Sequence, residues 1–150
     1  MQNTDYKLLS RQLDALLQGE SDLIANLSNA SALLNEAIDN INWLGFYLIK
    51  NNELLLGPFQ GKPACVHIGI GKGVCGTAVA EGTVQRVADV NAFPGHIACD
   101  ANSQSEIVLP IRKGNEIIGV LDIDAPVTQR FSEDDEVGLK EVVAVLEKHL

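Results

Sequence analysis

The stretch that decides the fold runs from Glu106 to Asp124 and reads Glu-Ile-Val-Leu-Pro-Ile-Arg-Lys-Gly-Asn-Glu-Ile-Ile-Gly-Val-Leu-Asp-Ile-Asp. Two apolar runs flank Lys113-Gly114-Asn115, and this pattern predicts a hairpin of two strands. Side chains two apart on a strand share a face. One face of the hairpin is therefore apolar, and the other carries Glu106, Asp122 and Asp124 at the end away from the turn.

Three carboxylates at one end of a sheet repel one another. One of them can then stay protonated and serve as an acid or a hydrogen-bond donor. The group could also hold an ammonium group or a cation. A solvent-exposed strand end is the alternative interpretation of the two aspartates.

Outward from this hairpin, helices are predicted towards both ends of the chain. Residues 4–18 form one, with Thr4 as N-cap, and Ser21 caps the next. The last helix follows a capping-box pattern at 132–135. Strands are predicted at 43–49, 53–56 and 84–88, the second ending at Gly57-Pro58, with a short helix at 77–81. This order favours an α+β domain with an antiparallel sheet, helices on one face and loops on the other.

Composition limits the class of protein. The chain has 150 residues, 46% of them hydrophobic, which predicts one domain with a substantial core over residues 1–150. The net charge of −9 argues against nucleic-acid and anionic-membrane binding. No apolar run approaches the roughly 20 residues of a membrane span, and the N-terminus does not resemble a signal peptide. We therefore expect a cytoplasmic protein.

The three cysteines, Cys65, Cys75 and Cys99, are candidates for chemistry. In a reducing compartment such residues are more often packed thiols, metal ligands or redox groups than permanent cross-links. Cys75 lies near a predicted helix start, where the helix dipole favours a thiolate. Cys65 and Cys99 lie in irregular segments. Cys99 belongs to the long loop 91–106, which is typical of a binding or catalytic loop.

Two further interpretations concern metal and apolar ligands. The cysteines with His67 and His96 could bind zinc, but apart from Cys65 and His67 the spacing is not that of a structural zinc site, so no metal or other cofactor is predicted. Trp43 shares a strand face with Tyr47. These aromatic side chains either pack in the core or form the apolar wall of a small-ligand pocket.

Several segments together resemble free methionine-(R)-sulfoxide reductase, a family built on a single GAF domain. They are Asn42-Trp-Leu-Gly-Phe-Tyr47, the three cysteines at their spacing, Phe93-Pro-Gly-His-Ile-Ala-Cys-Asp100, Ser105-Glu-Ile-Val-Leu-Pro110 and Leu121-Asp-Ile-Asp124. The resemblance covers nearly the whole chain. It implies a central antiparallel sheet of about six strands, with the N- and C-terminal helices behind it and the ligand pocket in front.

The resemblance also implies an activity. Free L-methionine (R)-sulfoxide would be reduced to methionine, with thioredoxin as the final reductant. Cys99 would be the nucleophile, Cys65 the resolving cysteine and Cys75 an auxiliary thiol. The substrate-binding residues would be Trp43, Tyr47, Glu106, Asp122 and Asp124.

Other interpretations stay open at this point. The main one is a non-enzymatic GAF module that binds a small metabolite, and a weaker one is a metal-binding structural protein. The sequence does not fix which carboxylate donates a proton, or whether Cys65 or Cys75 resolves the oxidised Cys99. GAF domains often dimerise through their helices, so a homodimer is a further expectation.

Overall fold

The computed structural model describes residues 3–96 and 101–150. It contains four α-helices and six strands in these ranges, and a short 3-10 helix at Val90–Ala92. In chain order they are α1 (Tyr6–Leu17), α2 (Leu23–Ala37), β1 (Trp43–Lys50), β2 (Glu53–Gly61), β3 (His67–Gly69), α3 (Gly73–Glu81), β4 (Gln85–Val87), β5 (Ser105–Lys113), β6 (Glu116–Ala125) and α4 (Glu133–Glu147).

The strands form one sheet in the order β3-β2-β1-β6-β5-β4, and every neighbouring pair is antiparallel. The predicted hairpin, β5 and β6, lies beside β1 near the middle of this sheet. The predicted α+β fold with a six-stranded antiparallel sheet is therefore confirmed. No helix among the described residues is long and apolar enough to cross a bilayer.

Apolar side chains cover both faces of the sheet. On one face, alternate residues of β1, β5 and β6, such as Phe46, Leu109 and Leu121, pack against α1, α2 and α4. On the other face, a smaller cluster that includes Tyr47 and Val108 packs against α3. The terminal helices thus lie behind the sheet, as predicted, and α3 lies in front.

Two local structures follow directly from the residues that form them. Asn51 and Asn52 make the turn between β1 and β2 with φ of 52° and 63°, the left-handed conformation that asparagine tolerates. Ser132 and Asp135 form a full capping box at the start of α4. Short-range patterns of this kind depend on the residues themselves and need no distant partner.

The predicted N-caps of the first two helices are wrong by one residue. Asp5 caps α1 by accepting from the amide of Leu8, and Asp22 caps α2 by accepting from Ala25. Thr4 and Ser21 were predicted in these roles. Aspartate is as strong an N-cap as serine and stronger than threonine, so the neighbouring carboxylate takes the position.

Strand boundaries in the second quarter of the chain also differ from the prediction. Gly57-Pro58 does not end β2, which continues to Gly61 through an irregularity opposite Gly45 and Tyr47. A bulge accepts a proline because the strand need not donate there. The edge strand β3 was not predicted, and α3 starts at Gly73, four residues before the predicted start at Thr77.

Candidate active site

Strand register brings the acidic residues together. Glu106 on β5 faces Asp124 on β6, and Asp122 faces Gly45 on β1. Trp43 on β1 also faces Asp124. Since these residues lie on the front face of the sheet, the three carboxylates and the indole line one pocket. The predicted cluster of carboxylates at one sheet end is therefore present.

The carboxylates lie at the floor of the pocket. Glu106 is 6% exposed and Asp122 5% exposed. Burial, followed by the charges of Asp122 and Asp124, raises the pKa of Glu106 well above its ordinary value. Burial also raises the pKa of Asp122, but hydrogen bonds from Glu106 and Cys75 act in the opposite direction. Of these two carboxyl groups, Glu106 is therefore the better suited to hold a proton.

The first turn of α3 places Cys75 against this cluster. Its Sγ and carboxylate oxygens of Glu106 and Asp122 lie within 4.8 Å of one another. Burial, then the charge of Asp122, raises the pKa of the thiol well above its ordinary value. Burial and the negative neighbours therefore oppose the effect of the helix dipole, which favours a thiolate at this helix start. Cys75 is a buried, free thiol.

One acceptor of the cluster is left over. The Oδ1 atom of Asp122 is buried and has no hydrogen-bond partner among the described residues. An unpaired buried carboxylate oxygen is costly, and in a pocket it is available to a donor of a bound molecule. The floor of the pocket is therefore prepared for a hydrogen-bond donor or a cationic group.

Aromatic rings form one wall of the pocket. The ring of Trp43 stacks on Tyr47 at 5.9 Å between centroids and on Phe59 at 5.3 Å. Gly45 makes this stack possible: a Cβ there would lie 2.3 Å from the Cβ of Phe59 and 2.7 Å from Cη2 of Trp43. Trp43 and Tyr47 of this wall line the same pocket as the carboxylates, and Trp43 faces Asp124 across the strands.

The same aromatic residues hold the segment that carries Cys65. The indole Nε1 of Trp43 donates to the carbonyl of Lys62 at 3.1 Å, and the Tyr47 hydroxyl donates to the carbonyl of Cys65 at 2.9 Å. Burial, then the charge of Asp122, raises the pKa of Tyr47, so that this hydroxyl keeps its proton. Sequence reasoning missed these contacts because they join residues 18 or 19 positions apart.

The cysteines differ in state. Cys65 is half-buried beside the pocket-side apolar cluster and is disulfide-bonded. Cys75 is not its partner, since its thiol is free. Cys99, the predicted nucleophile, lies outside the described residues, together with Ile97, Ala98 and Asp100. The proposed redox roles therefore rest on Cys65 here and on the family pattern.

The group of potential metal ligands in the structure differs from the cysteines and histidines that the sequence suggests. Cys65 is in a disulfide, and His67 pairs with Glu53. Among the described residues, Cys75, Glu106 and Asp122 form a group of potential ligand atoms. These atoms also form the acidic floor already described.

Several pocket residues were not predicted. The remaining lining comes from the segment before β3, from β3, from the start of α3 and from the loop before β5: Pro63, Ala64, Ile68, Lys72, Gly73, Val74, His96 and Ser103. Most belong to irregular segments, where no periodicity indicates which side chains face inward. The glycine-rich run before Cys75 was the one available signal of a close backbone approach.

Comparison with known proteins places this pocket in context. The family model described as GAF domain matches residues 12–150. The free methionine-R-sulfoxide reductase of Escherichia coli is 59% identical over 97% of this chain and 88% of its own length. Protein YtsP of Bacillus subtilis is 60% identical over 97% of this chain and 91% of its own. The structure described as fRMsr of Staphylococcus aureus in complex with substrate is 61% identical, with a TM-score of 0.96, and the match covers 100% of this chain and 98% of that one.

Proposed function

The chain belongs to the GAF domain family and, within it, to the free methionine-R-sulfoxide reductases, and we propose that it reduces free L-methionine (R)-sulfoxide to L-methionine. We further propose that residues 1–150 form a single GAF domain. The observation that carries the function is the pocket, in which a buried acidic floor meets an aromatic wall.

The pocket fits the three parts of this substrate. Ionised carboxylates of the floor, among them Asp122 with its unpaired Oδ1, would receive the substrate ammonium group. The ring of Trp43 would contact the terminal methyl group, and Tyr47 would complete that wall. Methionine within a peptide has no such ammonium group, and the acidic floor would then be left unpaired. A preference for the free amino acid follows.

The reduction requires a nucleophile and an acid. We assign Cys99 as the nucleophile, whose thiolate attacks the sulfoxide sulfur. We assign Glu106 as the group that protonates the sulfoxide oxygen, because burial and the neighbouring carboxylates raise its pKa well above the ordinary value. Asp124 remains near it as part of the floor. The oxygen passes to the sulfur of Cys99, which leaves methionine and a cysteine sulfenic acid.

The second half-reaction forms a disulfide. The thiol of Cys65 attacks the sulfenic sulfur of Cys99, the S–S bond forms, and water leaves. The disulfide-bonded state of Cys65 supports its role as the resolving cysteine. Cys75 is less suited to that role because its thiol is buried and free. We assign it as an auxiliary thiol that donates to Asp122.

A dithiol must then return the enzyme to its reduced form. We propose thioredoxin as this reductant, and a cytoplasmic location follows because thiol cycles of this kind operate in reducing compartments. A homodimer is a further proposal. It is supported by the exposed apolar residues Leu8, Leu16, Leu23 and Ile24 on α1 and α2. Sedimentation of the wild type against Leu16→Asp tests it.

Turnover of racemic methionine sulfoxide with the thioredoxin system tests the proposed function. The enzyme should consume half of the free substrate and should leave N-acetylmethionine sulfoxide untouched. A non-enzymatic metabolite-binding GAF module would consume none. Binding without consumption would therefore return the sensor interpretation.

Two cysteine variants separate the steps. Cys99→Ser should give no methionine at all. Cys65→Ser should release one equivalent of methionine per enzyme and then stop at the sulfenic acid, which a dimedone-type reagent traps on Cys99. If Cys99→Ser turns over like the wild type, the nucleophile is assigned wrongly.

A further inference from the structure

Two apolar side chains stand exposed close to Cys65 in the sequence. Val66 is 50% exposed and Ile70 is 38% exposed. They flank the short strand β3, whose middle residue, Ile68, is buried in the pocket-side cluster. We call Val66, β3 and Ile70 the β3 rim. The other exposed large apolar residues described belong to other segments: four lie on α1 and α2, Val127 follows β6, and Val137 lies on α4.

The β3 rim also includes a sheet edge, of which the Gly69 carbonyl is already used because it accepts from the amide of Lys72 at 3.0 Å. β3 is the outermost strand of the sheet and pairs only with β2 within the described ranges. On its inner side the carbonyl of Val66 accepts from the amide of Leu56 at 2.9 Å. An edge strand can pair with an extended segment of another protein, and this is a common mode of recognition.

Two lysines lie beside the β3 rim along the chain, although the net charge is −9 and the rim itself includes the pair of His67 with Glu53. Lys62 precedes Cys65, and Lys72 follows Ile70 with its Cγ packed at Gly69. Both lysines are exposed. A partner with an acidic or neutral contact surface is therefore favoured here more than elsewhere on this acidic protein.

We propose that the β3 rim is the docking surface for the protein dithiol that reduces the enzyme, and that this dithiol attacks the Sγ of Cys65. This assignment of the docking surface rests on the proposed function. The thiolate of the reductant forms a mixed disulfide with Cys65, and the Cys65–Cys99 bond breaks, with Cys99 leaving as a thiolate. The second thiol of the reductant then attacks the mixed disulfide. Two electrons pass to the enzyme, which regains both thiols, and the reductant ends as a disulfide.

The occupant follows from the chemistry beside the β3 rim. Attack by the buried thiol of Cys75 would only replace one intramolecular disulfide with another, so the two electrons must come from another molecule. A reductant that attacks Sγ of Cys65 must contact the residues on either side of it. The Tyr47 hydroxyl holds the Cys65 carbonyl, so the attacked sulfur is presented from a fixed backbone.

The main test places charge on the β3 rim. The double variant Val66→Asp/Ile70→Asp should raise the KM for thioredoxin at least about tenfold, because it buries two carboxylates in an apolar contact. Turnover driven by a small dithiol, dithiothreitol, should stay at the wild-type rate. Val137→Asp, at a position 60% exposed on α4, is the matched control and should change neither.

The outcomes separate two failures. If the wild type shows no turnover with dithiothreitol, the proposed function itself is contradicted. An unchanged KM for thioredoxin in the double variant, with normal dithiothreitol turnover, overturns the docking surface alone.

A trapping experiment tests the attacked sulfur. Thioredoxin whose second active-site cysteine is replaced by serine should accumulate as a mixed disulfide with the oxidised enzyme. Peptide mass spectrometry should locate that bond at Cys65. A bond at Cys99 would refute the assigned point of attack.

Discussion

Replacement of Glu106 by glutamine tests the central assignment of the site. Glu106→Gln keeps the shape and supplies two N–H donors to the facing carboxylates, but it cannot transfer a proton. We expect kcat/KM for free methionine (R)-sulfoxide to fall by about 10²–10⁴, the usual contribution of a positioned general acid. We also expect the folded protein to become more stable at neutral and higher pH.

The direction of the stability change follows from proton linkage. Burial raises the pKa of Glu106 above its value in the unfolded chain, which is about 4.3. At pH values between the unfolded-state and folded-state pKa of Glu106, the folded state binds more protons than the unfolded state. The wild type therefore loses stability as pH rises through this range. Glutamine has no such dependence. The advantage of the variant should therefore be small below about pH 4 and should grow with pH.

The gain in the free energy of unfolding is set by the cost of ionising a carboxyl group that is buried away from water. A gain of about 1–3 kcal/mol near pH 8 is expected for a 6%-exposed carboxyl between two others. For a chain of this length, each kcal/mol raises Tm by roughly 2–4 °C. Thermal unfolding from pH 4 to 8, followed by circular dichroism, measures it.

Glu116→Gln provides the matched control for Glu106→Gln. Glu116 is exposed at the start of β6, at the turn end of the same hairpin. Its replacement should alter Tm little at any pH and leave turnover unchanged. The reasoning is refuted if Glu106→Gln keeps kcat/KM within about threefold of wild type. It is also refuted if the variant is less stable than wild type near pH 8.

Three further perturbations test other parts of the site. Tyr47→Phe removes the donor to the Cys65 carbonyl and should cost about 1 kcal/mol in the free energy of unfolding; rapid-quench mapping should show slower formation of the Cys65 disulfide, and an unchanged rate would contradict the positioning role. Gly45→Ala places a Cβ 2.7 Å from Cη2 of Trp43, so it should lower the free energy of unfolding by about 1–3 kcal/mol, which urea unfolding measures. The same change should raise the KM for the sulfoxide in steady-state kinetics. Cys75 should resist alkylation in the native protein and react fully after unfolding, as mass spectrometry of labelled peptides can show; rapid native labelling would rule out a buried, protonated thiol.

The sequence predicts the hairpin and the acidic cluster because both depend on short-range rules. Alternation along β5 and β6 indicates which residues share a face, and the hairpin brings Glu106, Asp122 and Asp124 to the end away from the turn. The turn does not fix the final register, because the pairing shifts by one residue between Ile111 and Arg112 and only then places Glu106 opposite Asp124. This irregularity was not predicted.

Other features depend on contacts between distant segments. The extension of β2 past Gly57-Pro58 requires a bulge against β1. The short strand β3 depends on its pairing with the edge of β2. The raised pKa of the Cys75 thiol depends on its burial, within the first turn of α3, next to Asp122, and the position at a helix start does not indicate this burial. Local sequence signals therefore do not predict β3 or the contacts of the segment before it, which carries Cys65.

The division of the core explains how this fold holds a costly site. The large apolar cluster behind the sheet is built from alternate residues of the same strands that carry the carboxylates in front. Leu121 and Ile123, for example, flank Asp122 and are fully buried on the other face. Stability from the rear core can therefore offset the repulsion and desolvation of Glu106 and Asp122. The predicted gain for Glu106→Gln is the measurable form of this argument, because it removes the cost of the front face and leaves the rear core intact.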